Sequence, residues 1–163
     1  MKVVLFAPNK GSHERFVLLA SSLREQGHEP HVVRKFSMDS RSVAVECERQ
    51  DFILVGVSGN EEECLLGLDI LSHVAENRRG KALGTCMDSH GYATVFKHLR
   101  YPSQNDIRFA VFVGERNAFP NGSNLHSVGG RRHIIPPSEF NRDRVRTLAQ
   151  DLVEVGQKKI LSM

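Results

Sequence analysis

The chain lacks long apolar runs and has few cysteines. These two features argue against a membrane-spanning protein and against a disulfide-stabilised secreted protein. No apolar run approaches the roughly 20 residues that a membrane-spanning helix needs. The first apolar run, residues 3–7, is too short for the core of a signal peptide, and Pro8 and Asn9 interrupt it. The three cysteines form no C-x-x-C pair and cannot all be paired within one chain, which is typical of a reducing compartment. We therefore expect a cytoplasmic protein without a membrane span.

A strong excess of charge of one sign is also absent. The 22 basic and 19 acidic residues give a net charge of +3, which is too mild an excess to indicate a nucleic-acid partner. With 163 residues, 40% of them apolar and 25% charged, the chain has the size and composition of one globular domain with a real hydrophobic core. We therefore predict a single domain over residues 1–163.

Two phosphate-binding motifs are missing as well. The chain contains neither the G-x-G-x-x-G turn of dinucleotide-binding domains nor the G-x-x-x-x-G-K-[ST] loop of nucleotide hydrolases. His28 and His31 are three apart where the chain enters a strand, so their side chains should diverge onto opposite faces. We therefore expect no cofactor and no metal ion.

Short apolar runs alternate with segments of helical periodicity along the whole chain. The apolar runs predict strands at residues 3–7, 31–33, 52–57, 81–87 and 107–113. Apolar stripes predict helices after each of the first three strands and at the end of the chain. Such alternation is typical of right-handed βαβ units. We predict an α/β fold with a doubly wound, mostly parallel sheet of five or six strands, a three-layer arrangement of Rossmann or flavodoxin-like type. Residues 115–137, rich in glycine, asparagine and proline, predict an irregular loop.

A polar segment follows each predicted strand. Ligands of open parallel sheets bind outside the carboxyl ends of the strands. The polar segments are residues 9–13, 37–40, 58–60, 88–92 and the long loop from residue 115. We predict that all five lie on one rim of the domain and form its binding site.

The first of these segments holds the best candidate for an anion site. Gly11 permits a tight turn, and free backbone N–H groups at a helix start favour a phosphate or carboxylate. We predict that Asn9, Lys10, Gly11 and Ser12 bind the ligand and that His13 acts as a catalytic acid or base. The alternative is that Ser12 merely caps the helix and that His13 lies in solvent.

The segment after the third predicted strand has two opposing features. Ser58 and Asn60 could bind an anion at the start of the following helix, so both are predicted ligand contacts. The three consecutive glutamates at 61–63 would repel an anion, and Asn60 and Glu63 have the spacing of a capping box. A simple helix cap is therefore the alternative interpretation.

The segment after the fourth predicted strand carries an acid/base candidate. We predict that Asp88 is catalytic and that His90 contacts the ligand. Cys86 precedes them by two residues, but its surroundings lack the second glycine of a nucleophile elbow. Cys86 is therefore predicted to be a buried strand residue.

Two stretches of the chain together resemble the N-terminal, acceptor-side domain of GT-B glycosyltransferases, especially the lipid-linked GlcNAc transferase of peptidoglycan synthesis. The first comprises GSH at 11–13, LLASSL at 18–23 and GHEPHVV at 27–33; the second comprises FPNG at 119–122 and VGGR at 128–131. The resemblance implies that Gly11 and His13 form an acceptor or diphosphate site, with His13 as catalytic base. It also implies that Asn121 and Arg131 bind the ligand.

The chain departs from that family in three respects. Its first loop has one glycine, Arg131 stands where the family has an asparagine, and we expect the C-terminal donor domain to be missing. The resemblance therefore implies a lone domain that binds a sugar-nucleotide-related small molecule, either with a donor-domain partner subunit or without catalysis.

Two other function classes stay open. One is a nucleoside deoxyribosyltransferase-like N-glycosidase, which needs a nucleophilic carboxylate on the rim; Glu62, Glu63 and Asp88 are the candidates. The other is a non-enzymatic regulatory or interaction module of flavodoxin-like shape. A homo-oligomer is compatible with all three.

Overall fold

The computed structural model describes residues 1–34, 40–77, 81–98, 107–119 and 131–161. Its centre is one parallel sheet of six strands in the order β2-β1-β3-β4-β5-β6. The strands are β1 (Lys2–Ala7), β2 (Glu29–Arg34), β3 (Phe52–Val57), β4 (Ala82–Asp88), β5 (Phe109–Val113) and β6 (Arg131–Ile135). All five pairings between neighbours are parallel, which confirms the predicted fold class.

Helices cover both faces of this sheet. The described helices are α1 (Lys10–Glu25), α2 (Ser40–Glu48), α3 (Glu61–Asn77), α4 (Ser89–His98) and α5 (Arg142–Leu161), with short 3-10 turns at Arg116–Ala118 and Pro137–Glu139. One apolar core lies between the sheet and α1 with α5; the other lies between the sheet and α2, α3 and α4. None of these helices is long and apolar enough to cross a membrane.

The central strands are apolar along their whole length because both of their faces are covered. Every residue of β3 is buried, as is every residue of β5. Phe52 and Phe109 meet edge to face at 5.9 Å on the α1 side. Burying one such side chain contributes about 1.5–3 kcal/mol, so the residues of these two strands contribute strongly to the stability of the core.

The order of the strands reverses between β1 and β3. β1 pairs with β2 on one side and with β3 on the other, while α1 and α3 pack on opposite faces of the sheet. The segments that leave β1 and β3 therefore diverge. In open parallel sheets such a reversal leaves a crevice at the carboxyl edge.

Three elements differ from the sequence-based expectation. α1 begins at Lys10, so most of the predicted loop 9–13 is helical. α4 was not predicted, and β6 lies inside the range 115–137 that was predicted to be irregular. β6 is an edge strand with exposed residues at its start, so it lacks the continuous apolar run by which a central strand is recognised.

Candidate functional site

The first turn of α1 lies at the carboxyl edge, beside the reversal of strand order. Asn9 is the N-cap: its Oδ1 accepts from Ser12 N at 2.9 Å, and its carbonyl accepts from His13 N at 2.9 Å. The interpretation of Ser12 as the cap is therefore wrong, and Ser12 is buried. Lys10 and Gly11 are exposed, and His13 is half-buried.

The charge of this turn is positive. Its residues include no acidic side chain, and Lys10 adds a cation to the partial positive charge of the helix N-terminus. Nη1 of Arg15 lies 3.7 Å from where a Cβ on Gly11 would be, so a second cation reaches back to the same turn. An anion at this place would meet two cations and the helix dipole.

The N-terminus of α3 has the opposite character. Glu61, Glu62 and Glu63 occupy its first turn, and Asn60 caps it by accepting from Glu63 N at 3.1 Å. The Ser58 hydroxyl donates to Glu63 Oε2 at 2.7 Å and accepts from Asn60 N at 3.0 Å. These hydrogen bonds support the cap interpretation, while the ligand-binding roles of Ser58 and Asn60 stay predictions.

The N-terminus of α4 is capped by a carboxylate. Asp88 Oδ1 accepts from Gly91 N at 2.7 Å, so one oxygen of the predicted catalytic group is engaged in the helix start. His90 is exposed. Asp88, His90 and His13 lie on the same edge, because all three follow carboxyl ends of parallel strands. Their chemical roles stay predictions.

Close backbone approaches hold these segments together. A Cβ on Gly59 would lie 2.5 Å from His90 Cβ, and Thr94 Oγ1 donates to the Gly59 carbonyl at 3.1 Å. A Cβ on Gly56 would lie 2.7 Å from Pro8 Cδ, so the connection from β1 to α1 lies directly on β3. The rim is thus built on glycines that allow neighbouring connections to touch.

Cys86 lies beneath this rim on β4. It is only 5% exposed, which confirms its prediction as a buried strand residue. Burial, with a smaller contribution from the Asp88 carboxylate, raises the pKa of its thiol to about 11, although the Arg15 guanidinium opposes this rise. The thiol is therefore protonated at neutral pH, and it makes a poor nucleophile.

Arg131 does not belong to the rim, contrary to the expectation. It is the first residue of β6 and pairs with Phe109, the first residue of β5, so it lies at the amino end of the sheet. Its guanidinium contacts Asp151 at 3.0 Å and Glu154 at 2.8 Å on α5. Asn121 lies outside the described residues, as do residues 37–39.

Sequence reasoning did not consider Arg15, whose guanidinium lies beside the first turn of α1. It lies in the second turn of α1, behind the segment that was scanned for ligand contacts. Its position three residues after Ser12 would have placed it over the first turn, because helical side chains tilt towards the N-terminus. Within the described ranges, no three histidine, cysteine, aspartate or glutamate side chains are grouped so that they could hold a metal ion.

Comparisons with known proteins find similar structures but no similar sequences. No family model and no curated protein matches the sequence. Rubredoxin oxygen:oxidoreductase from Desulfovibrio gigas has a TM-score of 0.55 at 13% identity; the match covers 98% of this chain and 37% of that one. The flavodiiron protein from Giardia intestinalis has a TM-score of 0.47 at 13% identity, and the match covers 97% of this chain and 37% of that one. A flavone reductase has a TM-score of 0.44 at 8% identity, and the match covers 98% of this chain and 63% of that one.

The likeness to rubredoxin oxygen:oxidoreductase overturns the resemblance to GT-B glycosyltransferases. The residues that carried it meet general demands of a βαβ unit: Gly27 has a φ of 86° after the end of α1, and His28 N donates to the Leu23 carbonyl at 3.0 Å, as in many helix ends. Such motifs recur in unrelated parallel-sheet proteins. The strand order and the structural likeness instead identify the fold of this chain as flavodoxin-like.

Proposed function

We propose that this domain is a binding module for a phosphorylated small ligand of the mononucleotide type. The phosphate would lie at the first turn of α1, beside Lys10, Gly11 and Arg15. Flavin mononucleotide is the first candidate, because in flavodoxin-like sheets that ligand occupies the point where the strand order reverses between β1 and β3. A phosphate needs neither of the glycine-rich motifs that this chain lacks, since a helix N-terminus binds anions by itself.

The contrast between the three helix starts on the rim is the observation that carries the proposal. α3 has three glutamates in its first turn, and its cap engages Ser58. α4 begins beside the Asp88 carboxylate, which takes one of its N–H groups. The first turn of α1 alone combines the absence of acidic residues with nearby cations among these three.

The rim carboxylates favour a binding module over an N-glycosidase. A nucleophilic carboxylate must be free to attack the sugar. Glu63 accepts from the Ser58 hydroxyl, and Asp88 accepts from Gly91 N, so each carboxylate is already hydrogen-bonded at a helix start. Glu62 is exposed in the first turn of α3. None of the three has the surroundings of an activated nucleophile.

Calorimetric titration with flavin mononucleotide, riboflavin, adenosine monophosphate and inorganic phosphate tests the proposal. We expect the phosphorylated ligands to bind and riboflavin to bind more weakly than flavin mononucleotide, since riboflavin lacks the phosphate. A ligand at 100 times its dissociation constant should also stabilise the fold by about 2.7 kcal/mol in a thermal unfolding assay. Equal affinity for riboflavin and flavin mononucleotide, or no binding of any phosphorylated ligand, would contradict the proposal.

Substitution of Lys10 locates the phosphate. Lys10→Ala should weaken binding of flavin mononucleotide roughly threefold to tenfold, the range expected for one charge-assisted contact at an exposed site. Arg24→Ala is the matched control, because it removes an exposed cation from the other end of the same helix. An equal loss of affinity in both variants would mean that net charge, rather than the first turn of α1, attracts the ligand.

A further inference from the structure

A groove of about 300 Å³ lies between the second half of α1 and the start of α5. The residues that line it are Leu18, Ser21, Ser22 and Glu25 on α1, and Arg142 and Val145 on α5. Those of α1 recur at intervals of three and four residues, so they form one stripe along the helix. Gln26 Nε2 donates to Ser22 Oγ at 3.4 Å and to the Arg146 carbonyl at 3.5 Å, so this side chain links the two helices. The groove is therefore formed by packed helices rather than by a loop.

Apolar side chains are exposed beside this groove. Within the part of the chain that the structure describes, the exposed large hydrophobic residues are Val17 and Leu18 on α1 and Val45 on α2, each 42–47% exposed. Two of the three are therefore neighbours on α1, and Leu18 also lines the groove. Apolar residues scattered singly are normal on a protein surface, whereas contiguous ones often mark an interaction site. On α1 such a pair lies next to a groove that can receive an apolar side chain.

Opposite charges lie at the same groove. Arg142 Nη2 donates to Glu25 Oε1 at 3.1 Å, and both side chains are exposed. This contact uses one N–H group and one carboxylate oxygen, whereas an arginine has five donors and a carboxylate accepts at both oxygens. Each group can therefore contact a second partner of opposite charge. A surface that carries both signs of charge, an apolar pair and a groove is complementary to a copy of itself turned about a two-fold axis.

We propose that the groove, together with Val17 and Leu18, is the interface of a two-fold symmetric homodimer of this chain. In this dimer Leu18 of each copy packs into the groove of the other, and Glu25 of each copy lies opposite Arg142 of the other. A volume of about 300 Å³ is at the lower limit of pockets that bind small molecules, so side chains of a second copy suit the groove better than a separate ligand does.

The proposed interface has two further properties. Its apolar part consists of few side chains, so we expect a dimer that dissociates on dilution rather than a permanent one. It uses the second half of α1 and leaves the first turn of that helix free. The dimer therefore does not depend on the proposed binding of a phosphorylated ligand, and either can fail without the other.

Sedimentation velocity over a series of protein concentrations tests the apolar contact. The wild-type chain should shift from monomer to dimer as its concentration rises. Leu18→Glu should raise the dissociation constant of the dimer roughly tenfold or more, as expected when a central interface side chain is lost. Val45→Glu is the matched control, since Val45 is similarly exposed but belongs to α2, which packs on the opposite face of the sheet. A wild-type chain that is monomeric throughout, or equal weakening in the two variants, would overturn the proposal.

An exchange of charges tests the contact between Glu25 and Arg142 of different copies. Glu25→Arg sets two arginines opposite each other at both contacts of the dimer, and Arg142→Glu sets two glutamates there. Each variant alone should be monomeric at a concentration where the wild-type chain is dimeric, and both positions are exposed, so the fold should be intact. An equimolar mixture of the two variants should dimerise again, because every contact between copies then joins an arginine to a glutamate, while the like charges within each chain still repel. A mixture that stays monomeric, or single variants that dimerise as the wild-type chain does, would overturn the proposal.

Discussion

At Gly91 a hydrogen atom is the largest side chain that the backbone of β3 allows. A Cβ there would press on the Val57 carbonyl, with Val57 C at 3.2 Å and Met87 Cβ at 3.3 Å. The first two of these atoms belong to the backbone of a buried strand, so they cannot move aside as the end of a flexible side chain would. This glycine determines how closely α4 approaches the carboxyl end of β3.

We expect Gly91→Ala to destabilise the fold by about 1–3 kcal/mol, the usual cost of overpacking. Gly11→Ala is the matched control, since a Cβ at Gly11 makes ordinary contacts at 3.6 Å and 3.7 Å and alanine favours a helix. Urea-induced unfolding of the two variants measures the difference. Similar unfolding midpoints for both would mean that α4 does not lie as close to β3 as described.

Among the elements, α1 has a first turn whose cap stabilises the helix and which is also the proposed binding site. Asn9 satisfies two N–H groups of the first turn, and the same turn is the proposed phosphate site. Replacing the cap therefore risks a loss of binding that reflects only a frayed helix. A substitution that preserves the cap and changes its charge avoids this ambiguity.

Asn9→Asp is such a substitution. Aspartate caps helices as well as asparagine does, and its charge is favourable at a helix N-terminus, so the melting temperature should stay the same or rise. The added charge should repel a phosphate and weaken flavin mononucleotide binding by roughly tenfold, about 1.4 kcal/mol. Asn9→Ala provides the comparison, with an expected loss of about 1 kcal/mol in stability. Undiminished ligand affinity in Asn9→Asp would place the phosphate elsewhere.

Across the whole molecule, the last strand and the last helix are held together by an ion-pair network. Asp151 on α5 is 11% exposed and contacts both Arg131 and His133 on β6. The His133 ring also packs on Phe109 of the adjacent strand, with centroids 5.6 Å apart. β6 is the edge of the sheet and pairs with a neighbour on one side among the described strands, so these contacts anchor it.

Asp151→Asn should weaken the attachment of β6 to α5. We expect a loss of about 1–3 kcal/mol in stability, because the neutral amide leaves the Arg131 guanidinium without its charged partner and changes the hydrogen bond with His133. Glu154→Gln is the control: its pair with Arg131 is half-exposed, and exposed pairs contribute at most about 1 kcal/mol. Hydrogen exchange should speed up in β6 and change little in β1 and β3. Uniform acceleration over all strands would show that the network does not act locally.

Local periodicity in the sequence was sufficient to predict most of the strands and helices. The run at 52–57 coincides with β3, and the predicted strand at 3–7 lies within β1. Burial on both faces leaves a continuous apolar run, which is visible without knowledge of any partner. β6 and α4 were missed because an edge strand and a short helix capped by Asp88 carry weaker patterns.

What the sequence determined by itself is the set of elements and their alternation, since each depends on residues near one another along the chain. The tertiary structure was needed to show which distant groups meet: Pro8 with Gly56 of β3, Gly59 with His90, and Arg131 with α5 at the far end of the sheet. These contacts depend on strand order and on the direction in which each connection leaves the sheet. Short motifs carry no information about either, which is why the glycosyltransferase resemblance was wrong although the predicted α/β fold was confirmed.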